Sequence, residues 1–452
     1  MNDTIAAIST PFGEGGIGVI RISGPDALAI GQKAFHANGE LRERYINFGH
    51  ISGLDGVKID TGFFIYMKGP RSYTGEDVVE LQCHGGTLVL KKALEAVLRC
   101  GARPAGPGEF TKRAYLNGKL DLAQAEAVID LIRAKTEAGL SSAQSRLSGA
   151  LSSKIDAVKG GLFKLLTHIE AELDFPEDEI DGMPDEAFLE RLSAARDALI
   201  RLLSTYEEGK VIRDGVKVLI LGRPNVGKSS LLNILLKEER AIVTPVPGTT
   251  RDIIEEVINL RGIPVRLMDT AGLRKTRSRV ESIGVQAAMN RVKDAQLVLF
   301  VVDASSRSFS GDIEILRSIE GKKVIVVANK TDLAKDPKID IDGHKTVFIS
   351  ALKSIGIEEL KDEVYKEAVG HAFDSSLDTD PGEVLVSARH KIALERCLEG
   401  IKKTEKALRG GLAREFVATD LRWSIDRLGE ITGETTTEDI LEEIFNNFCI
   451  GK

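Results

Sequence analysis

The chain has 452 residues, of which 42% are hydrophobic and 29% charged, with a formal net charge of −7. That length suits a soluble multidomain enzyme with two or three cores, and the acidic balance excludes a protein that coats nucleic acid through overall charge; any RNA partner needs a specific local site. Four dispersed cysteines (Cys83, Cys100, Cys397, Cys449) have neither zinc-site spacing nor the density of a disulfide scaffold, and no apolar run reaches the roughly 18 residues of a membrane helix, so the expectation is a cytoplasmic protein with reduced thiols and no membrane partner.

In chain order, residues 1–118 mix short β-type runs with glycine turns, as in "GIGVIRISG", "TGFFIYMKG" and "DVVELQCHGG", the texture of an α+β domain. Residues 119–213 turn helical, with Leu122, Ala125, Ile129 and Ile132 recurring on one face. An acidic stretch from Glu170 to Glu186, broken by Pro176, Gly182 and Pro184, is expected to be a solvated loop between helices.

Residues 214–373 change texture again. The runs "VKVLILG", "PVRLMD", "LVLFVVD", "KVIVVANK" and "TVFIS" are short apolar strands separated by helix-length segments, which predicts an α/β domain with a mostly parallel sheet. Within it, "DIIEEVINLRGIPVRLMD" reads as one hairpin about Arg261-Gly262, hence an antiparallel edge. Residues 374–452 return to helix, with stripes at Leu394, Cys397, Leu398 and Ile401 and at Leu441, Ile444, Phe445 and Phe448. Neither helical half offers a complete core, so the expected architecture is an α/β domain inserted into a discontinuous all-α domain.

The sharpest local signal is "GRPNVGKS", Gly222 to Ser229, between the strand "VKVLIL" and the helix-like "SLLNILLKEE". Its glycines let backbone N–H groups from Asn225, Val226, Gly227, Lys228, Ser229 and Ser230 close around a pyrophosphate at a helix N-terminus. Lys228 is then the catalytic cation on the β- and γ-phosphates, and the Ser229 hydroxyl a ligand of Mg²⁺.

Base choice falls to "NKTD", Asn329, Lys330, Thr331 and Asp332. The Asp332 carboxylate can accept from the ring N–H and amino group of guanine, a donor pair that adenine lacks. "SAL", Ser350, Ala351 and Leu352, is placed to support the base from its other side. Thr244, Pro245, Val246 and Pro247 lead into "GTTRD", where a mobile switch belongs; Gly248 and Thr249 belong to it and Thr250 is the candidate for a second Mg²⁺ hydroxyl. In "DTAGL", the residues Asp269, Thr270, Ala271 and Gly272 form the γ-phosphate segment, with Asp269 holding the metal through water and the Gly272 N–H on the phosphate. Leu273 stands where a water-orienting glutamine is common, and it can orient nothing.

With these motifs set inside flanking helices, the chain resembles, over its full length, the bacterial and organellar tRNA-modifying GTPases of the MnmE (TrmE) family. Outside the GTPase motifs the resemblance rests on "GGIGVIRISG", "SYTGEDVVELQCHGG", "RPAGPGEFTKRAYLNGKLDLAQAEAVIDLI" and "FCIGK". It implies GTP hydrolysis coupled to modification of C5 of the wobble uridine of certain tRNAs, giving carboxymethylaminomethyl- or aminomethyl-uridine. The implied partner is the FAD protein MnmG, in a heterotetramer or larger complex, with FAD only in that partner. The implied one-carbon donor is 5-formyl- or 5,10-methylene-tetrahydrofolate, and residues 1–118 would be the folate-binding and homodimerising domain.

Arg21, Glu80, Lys119 and Lys452 match family positions that contact folate, and Cys449 matches a candidate for the modification chemistry. Cys449 could equally be a buried thiol. Cys83-His84 is read as a structural strand end, because adjacent side chains on a strand face opposite ways.

The same resemblance implies how Leu273 is tolerated. K⁺ held by Asn225, Thr244, Val246 and Thr249 would stand in for an arginine finger, and Glu281 would orient the attacking water. A cation there offsets developing charge without a partner protein, and the resemblance implies that GTPase domains dimerise across their switch faces when K⁺ and GTP are bound. Two alternatives are a GTP-dependent ribosome-assembly switch and a stand-alone folate-dependent tRNA methyltransferase. The folate-type domain and "FCIGK" argue against the first, and one-carbon transfer without MnmG would mark the second.

Overall fold

A computed structural model describes residues 3–174, 183–239, 255–269, 291–334, 339, 341, 343–370 and 387–452. Strands β1 (Ile5–Ile8), β2 (Gly18–Ser23), β3 (Phe35–Ala37), β4 (Asn47–Ser52), β5 (Lys58–Met67), β6 (Val78–Cys83) and β7 (Arg103–Pro104) form one sheet in the order β3-β4-β5-β6-β2-β1-β7. Helices α1 (Ala27–Ala34) and α2 (Thr87–Arg99) cover one face, where Ile20, Ile22, Phe64 and Leu81 bury against Ile30, Leu90, Ala93 and Val97. Strand alternation then sends Arg21 and Glu80, directly opposite each other on β2 and β6, to the other face. Ile5 and Ala7 bury on that side against Phe110 of α3 (Glu109–Leu116).

The helical domain begins with α4 (Leu122–Arg133), whose first turn is closed by a reciprocal capping box between Asp121 and Gln124. Helices α5 (Glu137–Leu147), α6 (Ala150–Asp174), α7 (Asp185–Ser204) and α8 (Tyr206–Asp214) follow. After the α/β unit come the helices numbered here α12 (Ala388–Arg409), α13 (Arg414–Thr432) and α14 (Glu438–Asn446). One core draws on both halves: Leu162, Leu165 and Ile169 of α6 and Phe188 and Leu192 of α7 meet Leu394, Cys397 and Ile401 of α12 and Leu421 and Leu428 of α13. Helices α12 and α13 approach closely at Gly400, where a Cβ would stand 2.1 Å from Ser424 Oγ.

Of the acidic stretch expected to be a solvated loop, residues 175–182 lie outside the described residues, and only its two ends are described. Glu170 to Asp174 are helical and Asp185 and Glu186 open α7. Its carboxylates pair with α13: Arg422 with Glu170 at 2.6 Å, and Arg414 with both Glu172 at 3.3 Å and Asp185 at 2.6 Å.

The inserted domain contains β8 (Val216–Leu221), α9 (Lys228–Glu239), β9 (Glu255–Leu260), β10 (Ile263–Asp269), β11 (Leu297–Asp303), α10 (Ser310–Arg317), β12 (Lys323–Asn329), β13 (Thr346–Phe348) and α11 (Ile357–Val369). Its sheet runs β13-β12-β11-β8-β10-β9, parallel throughout except for the β9–β10 hairpin at the edge. The strands are continuously apolar because both faces bury: Val218, Ile220 and Leu299 join one cluster, while Leu219, Val298 and Phe300 join the other. Among the described residues no helix is long and apolar enough to cross a membrane.

Candidate functional site

The phosphate loop leaves the carboxyl end of the central strand β8. Gly222 takes φ +151°, and a Cβ there would stand 2.3 Å from Val301 O. Asn225 adopts φ +66° and Gly227 φ +101°, so the loop folds back over its own amides before α9 begins. Lys228 Nζ donates to Gly222 O at 2.8 Å and Arg223 O at 2.7 Å, which bends the ammonium over the loop. Val226 is buried beneath the loop, whereas Asn225, Ser229 and Ser230 are exposed at its mouth.

Asn329 ties this loop to the base-side turns. Its side chain is buried at the end of β12, donates from Nδ2 to Val226 O at 2.9 Å and accepts at Oδ1 from the Ala351 N–H at 2.9 Å. Gly227 has no alternative here, since a Cβ would stand 2.1 Å from Asn329 Nδ2. Asp332 sits in the single turn Thr331–Leu333, where Ser350 Oγ donates to its Oδ1 at 2.6 Å and holds the carboxylate in place. Lys330 adopts φ +68° and its Nζ donates to Asp303 Oδ2 at 2.6 Å. Burial opposes ionisation of Asp303, but Lys330 and Ser305 hold its carboxyl below the usual carboxylate range. Leu352 is 85% exposed beside this turn.

Residues Thr244 through Thr250, Thr270 through Leu273, and Glu281 lie outside the described residues. The Asp269 backbone ends β10 in parallel register with Ile220, two residues before Gly222.

A second cluster forms where the C-terminal tail meets the N-terminal sheet. Arg21 Nε donates to Glu80 Oε1 at 3.0 Å, and the guanidinium lies 5.6 Å from the Tyr73 ring centre and 5.7 Å from that of Phe110. The tail is anchored alongside: Ile450 bridges to Pro107, and the Gly108 N–H donates to Cys449 O at 3.4 Å. Gly451 takes φ +99° so close to β1 that a Cβ would stand 2.3 Å from Ile8 O. Lys452 thereby ends within electrostatic reach of Arg21 and Glu80; burial and the Arg21 charge push its ammonium below the usual lysine range, opposed by Glu80 and Cys449. Lys119 donates from Nζ to Pro70 O at 3.2 Å and makes no hydrogen bond to this cluster.

Cys449 is exposed, so it is not the buried thiol that its place after an apolar stripe allowed. Cys83 is buried at the end of β6 and burial pushes its thiol up to about 11, while the exposed His84 pairs with Asp60 at 3.0 Å. The strand-end reading of that pair fits this placement. Sequence reasoning missed Tyr73 and Phe110 beside Arg21, since isolated aromatics carry no spacing signal. It also missed the tie made by Asn329, whose place in the motif hinted at the base and not at Val226.

A phosphate loop on a central strand, with an aspartate-bearing turn two strands away at the same sheet edge, makes the inserted domain a P-loop GTPase, and the chain a GTP hydrolase. Comparison with known proteins narrows the class. Residues 122–449 match the MnmE helical domain and residues 4–119 the GTP-binding protein TrmE N-terminus. The chain is 48% identical over 459 residues to the tRNA modification GTPase MnmE of Geobacter metallireducens and 47% identical over 454 residues to that of Aquifex aeolicus, each covering 100% of both chains. Among solved structures, the G domain of the T. maritima FeoB iron transporter is 32% identical over 34% of this chain and 98% of its own, with a TM-score of 0.27. The chain belongs to the MnmE family of tRNA modification GTPases.

Proposed function

We propose that this GTPase, together with the FAD protein MnmG, modifies C5 of the wobble uridine of certain cytoplasmic tRNAs to carboxymethylaminomethyl- or aminomethyl-uridine, using a tetrahydrofolate one-carbon unit. The observation that carries the reading is the seating of the C-terminal tail, through Ile450 on Pro107 and Gly451 on β1, at the sheet that bears the Arg21–Glu80 pair. Two cations suit the glutamate tail of a folate, and a carboxylate suits the amino and ring N–H donors of a pterin. Arg21, Glu80, Lys119 and Lys452 would bind it, with the exposed Cys449 at the edge. The proposed domains are 1–118 for folate and homodimerisation, 119–213 and 374–452 for the two helical halves, and 214–373 for GTP.

In the GTPase domain, residues 225–230, 244–250, 269–272, 329–332 and 350–352 are the proposed nucleotide contacts. The Ser229 hydroxyl, exposed on the first turn of α9 beside Lys228, is an oxygen donor suited to Mg²⁺, with Thr250 as its second hydroxyl. The Asn225 amide, exposed at the crest of the loop, suits K⁺, with Thr244, Val246 and Thr249 completing that site. Bound there, K⁺ supplies positive charge to the transition state. Lys228 draws charge from the phosphates and Glu281 orients the attacking water.

Nucleoside analysis of tRNA from a deletion strain, complemented with wild type or Lys452→Ala, tests the function. Loss of the wobble modification in the deletion, restored by wild type and not by the variant, is expected. Intact modification in the deletion strain defeats the reading and favours a ribosome-assembly switch. Modification that persists without MnmG favours a stand-alone methyltransferase.

A further inference from the structure

We infer that Glu126 and Asp130 of α4 are positioning residues that couple the GTPase domain to the tail bearing Cys449 and Lys452, an inference that rests on the proposed role of that tail. Helix α4 has two working faces. On one, Leu122, Ala125 and Ile129 pack against Leu441, Phe445 and Phe448, and Arg133 Nη2 donates to Asn447 O at 2.7 Å. This face carries α14 and the tail.

On the other face, Glu126 and Asp130 stand one helical turn apart. Glu126 Oε1 accepts from Arg389 Nε at 2.9 Å, and its Oε2 lies 2.8 Å from Nε2 of the fully buried His390. Asp130 Oδ2 accepts from Arg146 Nη1 at 2.9 Å. Arg213, joined to Asp214 at 2.8 Å, lies within electrostatic reach of both carboxylates.

The origin of these cations gives the cluster its meaning. Arg213 stands three residues before β8, the first strand of the GTPase domain, and Arg389 and His390 open α12, the first helix described after that domain. The first helix described after the GTPase domain therefore bonds to the helix that holds the tail, and Arg213, just before that domain, adds its charge to the same cluster.

A buried ion cluster is weak evidence for stability, because an apolar core of the same shape does as well or better. It is well suited to discrete arrangements, since separating its charges in a dry site costs far more than sliding apolar side chains. Arg146 Nε has no hydrogen-bond partner, so the cluster holds a spare donor for a second arrangement.

The tail offers its own reporter. Cys449 is exposed while Cys83, Cys100 and Cys397 are buried, so its alkylation rate reads tail position whatever its chemical role. In the full-length protein, that rate is expected to differ at least threefold between GDP and a non-hydrolysable GTP analogue. Glu126→Gln with Asp130→Asn should erase the difference while GTP turnover stays within twofold of wild type. A difference retained in the variant, or absent from wild type, overturns the inference. Should the double variant melt early, His390→Gln carries the same test, with the same outcomes. Wobble modification scored in parallel separates the two ideas: its absence from the tail's work would remove the functional reading and leave the alkylation result standing.

Discussion

At the residue scale, Gly227 and Asn329 form the tightest constraint in the nucleotide site. Gly227→Ala places a methyl 2.1 Å from Asn329 Nδ2 at φ +101°, so the tie to Val226 must break. Nucleotide affinity should fall at least about tenfold, roughly 1.4 kcal/mol, in a fluorescent-GDP titration. Asp332→Asn exchanges an acceptor for a donor, which should move preference from guanine to xanthine, whose added carbonyl accepts; unchanged GTP preference in competition assays would refute the base assignment. Buried His390 and Glu126 set a third expectation. Burial holds His390 below its ordinary 6.5; Glu126, despite burial, is held at about 2 instead of 4.5 by His390 and Arg389. Both groups bind protons less readily folded than unfolded. Their stabilisation is complete above the unfolded values and is lost on acidification, first below about 6.5 and then from 4.5 towards 2. The Glu126 displacement corresponds to at most about 3 kcal/mol. The gap in urea midpoint between wild type and Glu126→Gln should therefore narrow as pH falls below 4.5.

At the scale of elements, α14 is the clamp that decides where the chain ends. Phe445 is 2% exposed and packs with Phe448 at a ring separation of 5.4 Å. Phe445→Ala should cost about 3–5 kcal/mol locally by opening a cavity against α4. Because α14 is short and peripheral, the expected readout is release of the tail: faster Cys449 alkylation with little change in GTP turnover. The apolar stripe that forms this clamp was legible as a 3.6-residue period. The partners of Glu170, Glu172 and Asp185 were not, because nothing local to an acidic run says that arginines some two hundred and forty residues away will face it.

At the scale of the molecule, the GTPase domain is threaded into a helical domain whose main core draws on both halves. Under the proposed K⁺ role, purified protein should turn over GTP several-fold faster in KCl than in NaCl at equal ionic strength. Equal rates would remove the ion from the reading. Deleting residues 449–452 should leave that turnover within about twofold while abolishing wobble modification, which separates the GTP machinery from the site at the chain ends.

The sequence by itself determined the parts written in consecutive residues. The phosphate loop, the "NKTD" turn, the parallel sheet with its antiparallel edge and the helical stripes all follow from spacing and period, because backbone geometry acts over a few residues. Tertiary structure alone decided which of them touch. Lys452 within electrostatic reach of Arg21, Asn329 bonded to Val226, and Glu126 bonded to Arg389 bring together residues 431, 103 and 263 positions apart. Their partners are fixed by how whole cores pack, a property of the summed burial of the chain and not of any segment within it.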